Sequence, residues 1–191
     1  MKHHIAVFIV VPLLAILAEQ NLLKNGSFES FPAGEPAGWT TNNIPTMVTV
    51  VSASQNSYAG KTSVKCEVKE FYETKMAGMI SQKDIEVKSG ELVLKGAYLL
   101  KSVGKDVGYV AVDVKSAANS TIATCERYFT ESGPDFIPFT ISARLPENAK
   151  RIDILLTLMA EKGAGPAHVG SYILYDALDL RIVGKETEEV P

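Results

Sequence analysis

The clearest signal in the chain is a two-residue alternation. Across residues 62–68, Thr62, Val64, Cys66 and Val68 share one parity, while Ser63, Lys65, Glu67 and Lys69 share the other. Successive side chains of a strand point to opposite faces, so this run predicts a half-buried antiparallel strand. Residues 91–101 are apolar on both parities and suit a central strand. Short β-rich runs recur at 107–115, 121–129, 136–143, 151–159 and 168–183, with weaker ones at 47–51 and 75–82. Between them lie turn-forming clusters, including the polar stretch 52–60, Ser89-Gly90, 117–119, 131–134, 145–149 and the Gly/Pro segment 163–166. The spacing predicts about ten strands in an all-β antiparallel sandwich. No helical period, internal repeat or low-complexity tract interrupts this pattern after residue 18.

The N-terminus is different. Lys2, His3 and His4 precede an apolar run over residues 5–17, which ends at Ala18 before Glu19-Gln20. The run falls short of the ~20 residues that span a bilayer. It predicts a secretory signal peptide, residues 1–18, cut after Ala18, although Ile16 stands where a small residue is preferred. An uncleaved anchor is the alternative. One domain over 19–184 and a disordered acidic tail over 185–191 follow, with no membrane span after cleavage and a secreted or periplasmic location. Export permits a bridge between the two cysteines, Cys66 and Cys125, and two separately buried thiols are the alternative.

Composition narrows the function classes. The 191 residues are 46% hydrophobic and 21% charged, as in an ordinary folded domain. The net charge is −3, and Lys and Arg are scattered without interleaved aromatics, which argues against a nucleic-acid partner.

The most informative stretch is Asn21-Leu22-Leu23-Lys24-Asn25-Gly26-Ser27-Phe28-Glu29. Leu22 and Leu23 start a short strand, Asn25-Gly26 marks a turn, Phe28 returns to the core, and a Pro/Gly-rich loop leads to Gly38-Trp39. At the other end stands Tyr175-Asp176-Ala177-Leu178-Asp179-Leu180. Together these resemble the opening N-L-hydrophobic-x-N-G-x-F-E, the later G-W and the closing aromatic-Asp-Asp-hydrophobic strand of galactose-binding-domain-like jelly rolls. Within that group the chain looks most like the calcium-bearing carbohydrate-binding modules of families four, nine, sixteen and twenty-two. Ala177 departs from the pattern by replacing the second Asp. Gly60-Lys61-Thr62-Ser63-Val64-Lys65 and Arg151-Ile152-Asp153-Ile154 also resemble the family's internal strands, and residues 90–101 do so loosely.

The resemblance implies a structural calcium ion joining the first and last strands. Glu29 and Asp176 would be its side-chain ligands, and Ser27 and Lys61 its carbonyl donors, a set of hard oxygens that suits this ion. It also implies polysaccharide or glycan binding, with aromatics of a concave sheet stacked on sugar rings. The candidates are Tyr109, Tyr128, Tyr72 and Arg127, with Phe71, Asp113 and Glu126 nearby. Trp39 takes a core position. Catalysis finds little support: His168 is the single histidine after residue 18, no G-x-S-x-G occurs, and no acid pair stands out. The expectation is a non-catalytic, exported carbohydrate-binding module. The alternative is a structural or protein-interaction module of the same fold without sugar affinity, whose partner is another protein.

Overall fold

A computed structural model of the chain describes residues 20–161 and 167–184. The expected signal peptide, the tail over 185–191 and the 163–166 loop lie outside the described residues. The alternating runs form eleven strands: β1 (Thr40–Thr41), β2 (Val51–Ser54), β3 (Ser63–Phe71), β4 (Thr74–Ala77), β5 (Met79–Glu86), β6 (Glu91–Lys101), β7 (Val107–Lys115), β8 (Thr121–Phe129), β9 (Ile137–Arg144), β10 (Arg151–Met159) and β11 (Tyr172–Val183). One sheet has the order β1-β5-β10-β7-β8 and the other β2-β3-β11-β6-β9, with β4 paired to β3. Every strand pairing is antiparallel. This is a β-sandwich of the jelly-roll kind.

The two sheets bury one parity of each strand against the other. Val64, Cys66 and Val68 of β3 and Leu92, Leu94 and Leu100 of β6 meet Val110, Val112 and Val114 of β7 and Ile152, Ile154 and Leu156 of β10 in one core. Tyr175 of β11 is fully buried in it. Its hydroxyl donates to the Thr157 carbonyl at 2.8 Å and accepts the Tyr109 N–H at 3.0 Å, so a side chain of one sheet bonds the backbone of the other. Burial holds this phenol well above the ordinary tyrosine range. Trp39 is buried, with its ring centroid 5.3 Å from that of Phe28 and its indole N–H donating to the Lys24 carbonyl at 3.0 Å.

The run expected over 168–183 becomes strand only from Tyr172, after a turn in which the Ser171 N–H donates to the His168 carbonyl at 3.1 Å and Gly170 takes φ 92°. Three further expected strands change because a side chain or a glycine claims the backbone. Leu22 and Leu23 lie outside any strand, just before the turn at residues 24–27. The Asn21 carboxamide takes the place of a ladder there: its oxygen accepts from Leu23 N–H and Leu180 N–H, and its nitrogen donates to the Leu178 carbonyl. In the 47–51 run only Val51 enters a strand, because the Asn43 side-chain oxygen already takes the Val50 and Val51 amides at 2.8 Å each. The 75–82 run is cut into β4 and β5 at Gly78. A Cβ there would lie 2.3 Å from the Val50 carbonyl oxygen. Cys66 and Cys125 are both free thiols, and burial pushes the Cys66 thiol up to about 12.

The outer faces of the two sheets differ. On the six-stranded sheet, Ala97, Leu99 and Leu174 alternate away from the core and are nonetheless buried. The segment between β2 and β3 crosses this face and delivers the Tyr58 and Ala59 amides to Asp176, and the Tyr58 ring meets Phe136 from the β8–β9 connection at 6.0 Å. On the five-stranded sheet, Thr40, Met79, Thr124, Glu126 and Tyr128 stay exposed.

Asn21 should therefore act as a staple. Replacing it with alanine leaves the Leu178 carbonyl and the Leu180 N–H without their partners, at about 1–3 kcal/mol. Urea unfolding of Asn21→Ala is expected to give a lower midpoint with an unchanged slope.

Candidate functional site: an acid clasp and a tyrosine face

Two regions gather chemistry. The first lies where residues 20–29 meet β11. Leu22 N–H donates to the Leu180 carbonyl at 2.9 Å, and Leu178 N–H to the Gly26 carbonyl at 2.8 Å. Gly26 is required by this approach, since a Cβ would stand 2.2 Å from the Leu178 carbonyl oxygen. Positive φ falls on Asn25 at 48° and on Phe28 at 50°.

Asp176 is fully buried at a bulge in β11, where pairing with β6 slips between Asp176 and Asp179. Ala177, which replaces the family's second Asp, carries that bulge at φ 50°. One Asp176 oxygen accepts from Tyr58 N–H at 2.7 Å and Ala59 N–H at 3.0 Å, and the other from Ala177 N–H at 2.6 Å. Glu29 reaches the same loop from the opposite end of the chain: its Oε1 accepts from Lys61 N–H at 2.8 Å and Thr62 N–H at 3.1 Å. Gly60 makes room, at φ 69°, where a Cβ would lie 2.2 Å from that oxygen. The two acids are shifted in opposite directions from the usual carboxylate range. Burial raises Asp176 above the usual carboxylate range against the pull of its three N–H donors, and the charge of Glu29 raises it further. The Lys61 and Thr62 amides hold Glu29 below that range.

Of the residues expected at a calcium site, Glu29, Asp176 and Lys61 converge on the 58–62 loop. Lys61 meets Glu29 through its amide N–H. Ser27 is exposed on the turn before Phe28. A buried carboxylate beside a second carboxylate fits a hard cation in charge and donor type. Among the described residues no group of three or more His, Cys, Asp or Glu side chains gathers. A cation held by Glu29 and Asp176 would thus draw its remaining oxygens from backbone carbonyls or water.

The second region is the open face of the five-stranded sheet. Tyr109 of β7 and Tyr128 of β8 are directly opposite in register, with ring centroids 5.0 Å apart and planes tilted by 49°. The same row continues through Thr157 of β10 to Met79 of β5. The next row holds Glu126, Ala111, Leu155 and Ser81, and the one beyond holds Thr124, Asp113 and Asp153. The Tyr109 hydroxyl donates to Glu126 Oε2 at 2.6 Å, and the Tyr128 hydroxyl approaches the same oxygen at 3.4 Å. Thr124 donates to Asp113 at 2.7 Å. Burial and then the bonded Glu126 carboxylate raise the Tyr109 phenol above its ordinary range. Tyr175 holds the Tyr109 backbone from beneath. Past Ser81 and Thr40 the face runs into a cleft of about 490 Å³ lined also by Lys24, Asp84 and Glu86.

Tyr109 and Tyr128 are thus brought together, while the other two expected sugar contacts are elsewhere. Arg127 alternates to the opposite side of β8, opposite buried Val110, and donates to the Thr140 carbonyl at 3.0 Å. Tyr72 sits on the β3–β4 hairpin, 78% exposed and edge-on to Phe71. Sequence reasoning missed the floor of this face, Ala111, Leu155 and Ser81, because only strand register reveals them as neighbours. It also missed that His168 is tied down: its Nδ1 lies 2.9 Å from the buried carboxylate of Asp106, which also accepts the His168 amide at 2.7 Å.

No protein-family model matches the sequence, and a search of curated proteins finds no match. Solved structures do match. The family 16 carbohydrate-binding module-2 superposes with a TM-score of 0.59 at 19% identity, over 84% of this chain and 99% of that one. TmCBM61, solved in complex with β-1,4-galactotriose, superposes with a TM-score of 0.52 at 17% identity, over 86% of this chain and 99% of that one. The chain has the β-sandwich fold of these carbohydrate-binding modules. The enzymatically active domain of tailspike protein 4 from bacteriophage CBA120 gives a TM-score of 0.61 at 15% identity over 85% of this chain. The chain spans only 21% of that protein's length.

The clasp predicts unequal effects of its two acids. Asp176→Ala strips three backbone N–H groups of a buried acceptor and should lower stability by about 3 kcal/mol. Glu29→Ala, at an exposed position, should cost less. Denaturant unfolding of the two variants in metal-free buffer checks the order.

Proposed function

We propose that this chain is a non-catalytic carbohydrate-binding module of an exported protein, taking a glycan on the outer face of the β1-β5-β10-β7-β8 sheet. The observation that carries this is the pair Tyr109 and Tyr128, side by side on the open face of a sandwich whose other outer face is covered. Aromatic rings offer flat apolar area to the C–H faces of a pyranose. Glu126 and Asp113 supply oxygens that accept from its hydroxyls, and Thr124 and Thr157 flank them. The sugar-binding modules that share this fold support the assignment. Binding needs only contact and orientation, which these groups offer. The acids of the face are engaged in positioning phenol and hydroxyl groups, and His168 is held against Asp106 in a separate pair of loops.

We further propose that Glu29 and Asp176 hold a structural Ca2+. The ion would offset the repulsion between two neighbouring carboxylates, one of them desolvated, and so fasten residues 20–29 and the 58–62 loop onto β11. It would take no part in ligand contact, because the clasp is on the sheet opposite the tyrosines.

Affinity electrophoresis against a panel of soluble glycans tests the binding role. Retention by at least one glycan is expected, with Tyr109→Ala and Tyr128→Ala each weakening it about tenfold and Tyr72→Ala leaving it intact. Absence of retention on every glycan, together with specific capture of a protein ligand, would favour the interaction-module alternative. For the metal, chelation is expected to lower the melting temperature by about 4 °C or more, with recovery on adding calcium. An unchanged melting curve in both steps would remove the ion from the account.

A further inference from the structure

The electrostatics of the tyrosine face point to which glycans it accepts. Immediately beside Tyr109 and Tyr128 stand Thr157 and Met79, and beyond them Ala111 and Leu155, all uncharged. The charged groups of these rows and the next are acids, Glu126, Asp113 and Asp153. Glu126 is exposed, and its Oε2 receives both phenol hydroxyls, while Oε1 has no hydrogen-bond partner among the described residues. An ionised carboxylate only accepts hydrogen bonds, so Oε1 offers an incoming group an acceptor and a negative charge. Cations are kept away. Arg127 alternates to the other side of β8 and is bonded to the Thr140 carbonyl. Among the described residues Lys115 and Arg151 lie two rows beyond Glu126, and Lys83 of β5 acts on Asp153 one row beyond it; Lys115 is six positions along β7 from Tyr109, about 20 Å at strand rise. Lys115 is also ion-paired with Asp153 at 2.8 Å.

Building on the proposed sugar-binding role of this face, we infer that Glu126, seconded by Asp113, is a specificity-determining residue that restricts the face to uncharged, hydroxyl-rich glycans and turns away uronate or sulfated ones. A neutral pyranose brings hydroxyl donors to Oε1. A uronate brings a second carboxylate to the tyrosine and Glu126 rows, which hold no counter-charge among the described residues, and like charges brought within hydrogen-bonding distance away from bulk water repel strongly.

The test is affinity electrophoresis at low salt with neutral galactan, xylan, mannan and β-glucan beside polygalacturonate and alginate. It uses the wild-type protein and the Glu126→Gln and Glu126→Gln/Asp113→Asn variants, with melting curves to verify folding. The wild type is expected to be retained by at least one neutral glycan and by neither acidic one. The ratio of acidic to neutral retention should rise about fivefold or more in Glu126→Gln and further in the double variant. Wild-type binding to an acidic glycan as tight as to any neutral one, or a ratio unmoved by both substitutions in folded protein, overturns the charge filter while leaving sugar binding in place. Failure of the wild type to bind any of the six glycans overturns the filter and the sugar-binding role together.

Discussion

The structure turns on one buried carboxylate. Asp176 lies on the outward parity of β11 yet is fully buried, because the segment between β2 and β3 folds down over it and hands it two backbone N–H groups. A desolvated charge of this kind persists only where hydrogen bonds or a cation compensate it. Here the compensation comes from the Tyr58, Ala59 and Ala177 amides, and, in our proposal, from a calcium ion shared with Glu29. The same loop turns at Gly60 to meet Glu29, which follows the turn fastened to β11 by Asn21 and Gly26. One short loop thereby ties the N-terminal segment, β3 and the final strand into a single unit.

That closure decides which side of the sandwich is left for binding. The loop and the Tyr58–Phe136 contact cover the outer face of the six-stranded sheet, where Ala97, Leu99 and Leu174 form a small second apolar layer. Among the described residues, the five-stranded sheet has no such cover over its tyrosine row. Tyr175 links the halves: it belongs to β11, next to Asp176, and its hydroxyl grips the backbone at Tyr109. The acid clasp and the tyrosine face are therefore separated by one residue of β11 and the thickness of the core. Fastening one end of the chain also fixes the strand from which the aromatic platform rises.

Much of the fold was legible because it is written in period two. The expected runs at 91–101, 107–115, 121–129 and 151–159 coincide with β6, β7, β8 and β10, β6 being read from an apolar run and the others from short β-rich runs between turn clusters. Two of the misread segments are places where polar side chains take backbone groups, Asn21 at Leu22-Leu23 and Asn43 at Val50-Val51, and a third is the break at Gly78. Such features carry no periodic signal. The resemblance at the two chain ends named Glu29 and Asp176, and they do reach a common loop. It did not indicate that Lys61 would offer its N–H, which depends on the turn at Gly60. At the sugar face, Tyr109 and Tyr128 could be picked out as strand aromatics, but their pairing is a matter of register across a hairpin. Arg127 is adjacent to Tyr128 in sequence and for that very reason faces the other way.

The most direct measurement is the backbone amide chemical-shift map of the isotope-labelled protein titrated with the neutral oligosaccharide it retains best. The account predicts that the perturbed amides cluster on β7, β8 and β10 around Tyr109, Ala111, Glu126, Tyr128 and Leu155. Perturbations confined to the Tyr58–Phe136 side of the sandwich, or to the Tyr72 hairpin, would contradict it.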